Sequence, residues 1–419
     1  MFNTHCDVAV IGGGPAGLAA AVSAKKQGAG NVLIAERDNA LGGILQQCIH
    51  PGFGLTYYNE ELTGPEYARR FIKQAEHTGI ETLLNSMVLE IRPDGTIVCS
   101  NTEHGINYIE AKSVVLAMGC RERTRGNIRI PGTRPAGIYT AGAAQRLINR
   151  QNAMVGREVV ILGSGDIGMI MARRMTLEGA KVVAVVEIMD FLAGLTRNRV
   201  QCLDDFDIPL LLSHTVVSIL GKERVEGVCV AKVDADGKPI QGTEECLACD
   251  TLLLSVGLIP ENELSRAARV EMSPVTNGPI VDQRMQTSIP SLFACGNVVH
   301  VNDLADNVSM ESEIAGREAA RYAMRTLPEP KGTIVCEPGN NVRYICPQRI
   351  SLTGEDTKIN LYFRVNAPDE KVRISLYCNG KELAKKKAVK VNPGEMEHME
   401  ARASELTQGK LVIDVAREA

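Results

Sequence analysis

Two segments of this chain repeat one plan: Val8-Ala-Val-Ile-Gly12-Gly-Gly14-Pro15-Ala16-Gly17 and Val159-Val-Ile-Leu-Gly163-Ser-Gly165-Asp166-Ile167-Gly168. Each opens with a short buried strand, turns through glycines and continues into a helix, the first from about Pro15 to Gln27. A second strand follows (Asn31 to Ala35, Lys181 to Val186) and ends on an acid, Glu36 or Glu187, 19 residues beyond the third glycine in both copies. The chemistry of a dinucleotide pyrophosphate dictates these residue types. The first glycine allows a sharp turn, the second lets backbone approach the phosphates, and the third lets the helix pack closely on the strand. Free N–H groups at the helix start then face the phosphates, and the acid can accept hydrogen bonds from a ribose. Each unit also closes alike, with apolar strands Ser113 to Ala117 and Thr251 to Ser255 leading to Gly119 and Gly257. Two such coincidences imply two dinucleotide-binding domains in tandem.

A chain of 419 residues is too long for one ordinary core, so two or three domains are expected. Its net charge of −4 gives no reason to expect nucleic acid or an anionic membrane as partner. No apolar run approaches the ~18 residues that span a bilayer. The first strand begins within a few residues of Met1, which leaves no room for a signal peptide. The 12 cysteines show no paired framework, and a cytoplasmic setting is expected.

Between the repeats, Leu41-Gly-Gly43-Ile-Leu-Gln-Gln-Cys48-Ile-His50-Pro-Gly-Phe-Gly-Leu55 is too glycine-rich for a packed helix and too apolar for a solvated loop. It is expected to lie along a ligand. Thr63-Gly-Pro-Glu66 reads as a capping box before a helix, and short strands are expected around Val88, Ile97 and Tyr108. After the second repeat come Thr287-Ser-Ile-Pro-Ser-Leu-Phe293-Ala-Cys-Gly296-Asn297 and a helical stretch from about Asp303 to Arg325. Pro328, Pro330 and Gly332 mark a linker. Beyond it, strand patterns and the hairpin dipeptide Asn379-Gly380 predict a small β-sandwich.

With both glycine motifs and the Phe293-Ala-Cys-Gly296 segment, residues 1 to about 327 resemble the two-dinucleotide-domain flavoproteins, relatives of thioredoxin reductase and glutathione reductase. The resemblance implies an α/β fold with a discontinuous FAD-binding domain (1–125 and 265–328) and an NAD-binding domain (126–264), while the strand patterns beyond the linker, which do not match the family, assign 333–419 to the C-terminal β domain. It implies FAD at Gly12, Gly14, Pro15, Ala16, Gly17, Glu36, Arg37, Gly43, Gly119, Gly296 and Asn297, the last standing where the family carries an aspartate. NAD is implied at Gly163, Gly165, Asp166, Ile167, Gly168, Glu187 and Gly257. No arginine follows Glu187 to receive a 2′-phosphate, which favours NAD(H) over NADP(H). In the family the helix after Gly296 points its positive end at the flavin.

Three segments narrow the likeness: Gly42 to Gly54, Met118-Gly-Cys-Arg-Glu-Arg123, and Gly296-Asn-Val-Val-His-Val-Asn-Asp-Leu304. They look like the FAD/NAD subunit beside anaerobic glycerol-3-phosphate dehydrogenases, and are similar to flavin subunits of hydrogen cyanide synthase, opine oxidase and dye-linked proline dehydrogenase. This implies an electron-transfer partner for a substrate dehydrogenase; the C-terminal β domain is expected to dock that partner or a second copy of the chain. Two alternatives stand beside it: a self-contained NADH-dependent reductase of a small acceptor, and a scaffold protein whose nucleotides are structural.

The cysteines argue against a disulfide reductase, because only Cys48 lies in the glycine-rich segment. Cys48 and His50 are the side chains expected to border the flavin, with direct chemistry weighed against a buried structural thiol. Cys246 and Cys249 lie three apart on a strand, and so on opposite faces, which opposes a bond between them or a shared metal. Cys336 and Cys346 have no clustered ligands in the sequence, and no metal is expected.

Overall fold

The computed structural model describes residues 2–418, which form two compact units, one of the residues up to Cys120 together with those from Pro260 onward, the other Arg121–Ile259. The first begins with β1 (Phe2–Ile11), α1 (Pro15–Gln27) and β2 (Val32–Ala35). After them come α2 (Gly64–His77), β3 (Glu81–Leu83), β4 (Ser86–Ile91), β5 (Thr96–Asn101) and β6 (Gly105–Leu116). Val8, Ala9, Val10 and Ile11 are all buried, as a central parallel strand covered on both faces requires. Val10 sits between Ile34 of β2 and Val115 of β6. The strands expected around Tyr108 and over Ser113 to Ala117 are one strand, β6. It runs antiparallel to β5 and parallel to β1, so it joins the nucleotide-binding sheet to the β4–β5 meander. The capping box at Thr63 and Glu66 forms as read.

β7 (Cys120–Glu122) leaves this unit, and the second opens with α3 (Arg125–Ile128), β8 (Ile138–Thr140) and α4 (Ala141–Gln151). Its repeat of the glycine plan is β9 (Glu158–Leu162), α5 (Asp166–Leu177) and β10 (Lys181–Val186). There follow α6 (Thr196–Cys202), β11 (Leu210–Leu211), β12 (His214–Leu220), β13 (Gly227–Lys232), β14 (Glu245–Ala248) and β15 (Thr251–Leu254). The parallel sheet runs β11-β10-β9-β15-β8, and β12-β13-β14 form an antiparallel layer. Val160, Leu252 and Leu254 share a core with Val216 and Val228 of that layer.

The chain re-enters the first unit through β16 (Leu258–Pro260) and α7 (Glu263–Ala267), then adds β17 (Leu292–Ala294) beside β6 and α8 (Ala305–Ala323) against α1. A Cβ on Gly316 would meet the Ala20 carbonyl oxygen at 1.9 Å, so these helices touch backbone to backbone. Alanine-rich α1 permits that approach.

The C-terminal strands are β18 (Gly332–Pro338), β19 (Val342–Cys346), β20 (Arg349–Leu352), β21 (Lys358–Val365), β22 (Asp369–Cys378), β23 (Lys381–Val391), β24 (Glu397–Arg402) and β25 (Gly409–Arg417). Sheets β20-β18-β25-β22-β23 and β19-β21-β24 enclose Ile334, Leu361, Phe363, Ile374 and Ile413 in one core, the expected sandwich. It clusters with the first unit, to which it is tied by polar contacts. Gln283 accepts from Ser351 N (2.7 Å) and donates to Ser351 O (2.7 Å), and Arg364 pairs with Asp303.

Cys246 and Cys249 do not bond, as strand geometry required, but Cys246 is bonded to Cys229. The β13–β14 register sets these two directly opposite each other, a pairing 17 residues apart that spacing alone did not reveal.

Candidate functional site

The glycines of the first turn are demanded by different things. At Gly12 (φ +102°) a Cβ would lie 2.5 Å from Ala117 O, and at Gly17 a Cβ would lie 1.7 Å from Gly12 O. The fold itself requires both. At Gly14 the nearest atom to a Cβ is Gly43 Cα at 4.0 Å, and the backbone (φ −74°, ψ −172°) suits any residue. The protein leaves that space open. Gly14 is the N-cap of α1, no side chain caps the helix and no acid lies in its first turn, so its leading N–H groups suit an anion.

Glu36 is 6% exposed; Oε2 accepts from Gly13 N (2.6 Å) and Oε1 from Asp38 N (2.7 Å). A carboxylate has about four lone-pair positions, so each oxygen keeps one for a ribose hydroxyl. Arg37 is exposed.

The second turn reproduces this arrangement. Gly163 (φ +98°) packs on Ser255 O, where a Cβ would come to 2.1 Å, and a Cβ on Gly168 would meet Gly163 O at 2.6 Å. Glu187, 4% exposed, accepts from Ser164 N (2.8 Å) and Ser164 Oγ (2.7 Å) through Oε2 and from Met189 N (3.0 Å) through Oε1. The two turns differ at the helix start. Asp166 Oδ1 accepts from Leu195 N (2.9 Å) and Asn198 Nδ2 (2.6 Å), and a Cβ on Gly194 would lie 2.9 Å from Asp166 N. The protein's own loop therefore packs on the first turn of α5, and Asp166 holds it there. Ile167 is half-buried and packs against the helix-side core, and Gly257 (φ +102°) ends the segment after β15.

The segment after Glu36 lies on the first turn. Gly42 N donates to Gly13 O (2.7 Å), and a Cβ on Gly43 would lie 2.9 Å from Gly14 Cα. Within it Ile44 (55%), Ile49 (38%) and Leu55 (44%) are exposed apolar side chains in the segment where the sequence predicts a ligand. Cys48 is buried; its thiol donates to Ile44 O (3.3 Å), and burial pushes its pKa up to about 12. It is a thiol, not a thiolate, at neutral pH. His50 is half-buried, with Nδ1 2.9 Å from Pro51 O and its ring against Phe53.

Gly296 (φ +70°) sits on the start of α1, where a Cβ would meet the Ala16 Cβ at 2.8 Å. Asn297 Oδ1 accepts from Asn302 N (3.0 Å), while Nδ2 approaches Cys120 Sγ at 3.6 Å. Gly119 (φ +72°) has open space around it. The N-terminal turn of α8 carries a charge that the sequence reading overlooked. Buried Asp306 accepts from Gly54 N (2.9 Å), Thr56 N (2.7 Å) and Tyr57 N (3.1 Å). It anchors the glycine-rich 41–57 segment and offsets part of the helix dipole.

A second cluster was invisible in the sequence. Cys346, expected to lack clustered ligands, lies with His300 and Glu311, their ligand atoms all within 4.8 Å of one another. Docking of β19 against α8 brings these distant positions together. His300 Nε2 is 2.7 Å from Glu311 Oε1, and Tyr344 and Tyr362 flank the ring. Burial by itself would lower the His300 pKa; Cys346 and Glu311 outweigh it and raise it well above the ordinary value.

The profile of the pyridine nucleotide-disulphide oxidoreductases matches residues 6–320, which contain both turns and the return segment. The chain belongs to the pyridine nucleotide-disulphide oxidoreductase family. Members of this family are FAD-dependent NAD(P)H oxidoreductases. The chain is 26% identical to the hydrogen cyanide synthase subunit HcnB of Pseudomonas protegens over 69% of its length and 65% of the relative. With the F component of alkyl hydroperoxide reductase from Pseudomonas aeruginosa it shares 28% identity over 70% of its length and 54% of the relative. With the opine oxidase subunit of Agrobacterium tumefaciens the identity is 25%, over 77% and 66%. The chain thus spans about half to two thirds of these curated relatives. In fold it is similar to T. acidophilum thioredoxin reductase, with a TM-score of 0.63 at 23% identity, covering 77% of this chain and 99% of that one. Among the described residues no helix is long and apolar enough to cross a membrane.

Proposed function

We propose that this chain is the nucleotide-binding subunit of a redox complex. FAD is held at the first turn and NAD(H) at the second, and electrons pass between them and a partner dehydrogenase of the glycerol-3-phosphate or amino-acid/opine type. The observation that carries the reading is the space beside Gly14, which the fold keeps clear although nothing in the protein needs a glycine there. When bound, FAD supplies the two-electron chemistry. The chain's part is to orient and enclose. The first-turn amides of α1 face the phosphates, Glu36 holds a ribose, and Ile44, Ile49 and Leu55 cover apolar surface. At the second turn Glu187 takes the other ribose and disfavours a 2′-phosphate.

The cysteines favour a partner other than a disulfide substrate. Among the described residues the one disulfide joins neighbouring strands β13 and β14, and Cys48 is a buried thiol outside it. HcnB and the opine oxidase relative are each named as subunits, which favours a complex here too. Affinity purification of the full chain from its native host tests this. A stoichiometric companion carrying its own redox centre is expected. A lone chain that turns over NADH with a small acceptor at full rate would instead support the self-contained reductase.

A further inference from the structure

The second unit contains a cavity of about 660 Å³ that neither glycine turn uses. It lies where β8 ends at Thr140 and β15 at Leu254. In the order β9-β15-β8 the end of β8 is two strands from the Gly163 turn, about 10 Å at ordinary strand spacing. Arg125, Arg129 and Arg134 line it, and no carboxylate does. Arg125 Nη2 donates to Ile130 O (3.1 Å) and Gly132 O (3.0 Å), which fixes one guanidinium in the wall. Arg129 and Arg134 are exposed, and among the described residues neither pairs with an acid. Three uncompensated guanidinium groups around one concavity favour a multiply charged anion, since each can offer parallel donors to an oxyanion. The opening turn of α4 does not add to this, because Glu122 Oε1 already accepts from Gly142 N (2.8 Å) there; the arginines supply the positive charge.

The rest of the lining identifies the body of the ligand. Ile130, Pro135, Ile138, Tyr139 and Leu254 give the cavity an apolar side, and its volume falls in the range of small-molecule sites and far above that of a bare phosphate. We propose that this pocket binds an organic phosphate monoester, its dianion among the three arginines and its carbon body against the apolar side. The site is separate from the FAD and NAD(H) turns and does not depend on the partner reading.

The test is calorimetric titration of the full-length flavoprotein, with saturating NAD present to fill the second turn, using AMP, glycerol 3-phosphate and inorganic phosphate as probes. AMP and glycerol 3-phosphate distinguish a nucleotide from an alkyl phosphate. We expect at least one of them to bind more tightly than inorganic phosphate. In Arg129→Ala/Arg134→Ala that affinity falls at least about tenfold, because charge-assisted hydrogen bonds are removed. Both arginines are exposed, so flavin content and melting temperature should hold, and NADH reactivity is measured on the same sample. The proposal is overturned if neither organic phosphate binds, if binding survives the double substitution unchanged, or if inorganic phosphate binds as well as the esters.

Discussion

Gly14→Ala separates what the fold needs from what the cofactor needs. An alanine Cβ there meets nothing nearer than Gly43 Cα at 4.0 Å, and φ −74°, ψ −172° lies in a region open to alanine. The apoprotein should therefore stay within about 1 kcal/mol of the parent, because the unfolded chain's reduced freedom (about 0.4–1 kcal/mol) is offset by alanine being a weaker N-cap than glycine. The same methyl fills the approach by which a pyrophosphate reaches the α1 amides. Losing one or two hydrogen bonds to a charged group, at about 1.5–3 kcal/mol each, weakens FAD binding by roughly tenfold to roughly twenty-thousandfold. Gly17→Ala is the contrast: its Cβ would sit 1.7 Å from Gly12 O, so it should fail to fold. The assay is flavin absorbance per chain together with thermal melting of flavin-stripped protein. Gly14→Ala with full flavin occupancy would refute the site, and an apoprotein that melts many degrees lower would refute the open-space argument.

Glu187→Gln keeps an acceptor for Ser164 but removes the charge, so the preference for NADH over NADPH should shrink by about tenfold in kcat/KM; an unchanged ratio would dissociate Glu187 from the ribose. Cys229→Ser breaks the disulfide between β13 and β14, and anaerobic reduction by NADH should proceed with the same stoichiometry and rate. Because His300 has a folded pKa above its unfolded value of about 6.5, its contribution to stability is complete below that pH and is lost as pH rises through the folded pKa. Melting temperature should accordingly fall across the neutral-to-alkaline range, and His300→Gln should flatten that fall.

Features set by local chain chemistry were legible in the sequence. The turns at Gly12 and Gly163, helix α1, the capping box at Thr63 and the acids Glu36 and Glu187 follow from steric and hydrogen-bonding demands within a few tens of residues. Features made by distant segments meeting were not. Cys229 finds Cys246 only through strand register, and His300, Glu311 and Cys346 meet only because β19 docks on α8. Asp306 illustrates a third kind. Its place in the opening turn of α8 is readable, but its service to Gly54, Thr56 and Tyr57 requires knowing that those residues pass overhead. The arginine cavity has the same origin, since the β8 and β15 ends become neighbours only in the folded sheet.

The central claim, that the chain carries electrons between NAD(H) and FAD without a thiol intermediary, is tested most directly by anaerobic titration of the purified flavoprotein with NADH while free thiols are counted. The account predicts that the visible flavin band bleaches with a single equivalent of NADH and that no new thiols appear. It also predicts that Gly165→Ala, where a Cβ would stand 3.3 Å from Ser255 Oγ at the second turn, stays yellow but bleaches far more slowly. Uptake of a second equivalent with the release of two thiols, or a flavin that NADH leaves untouched, would contradict it.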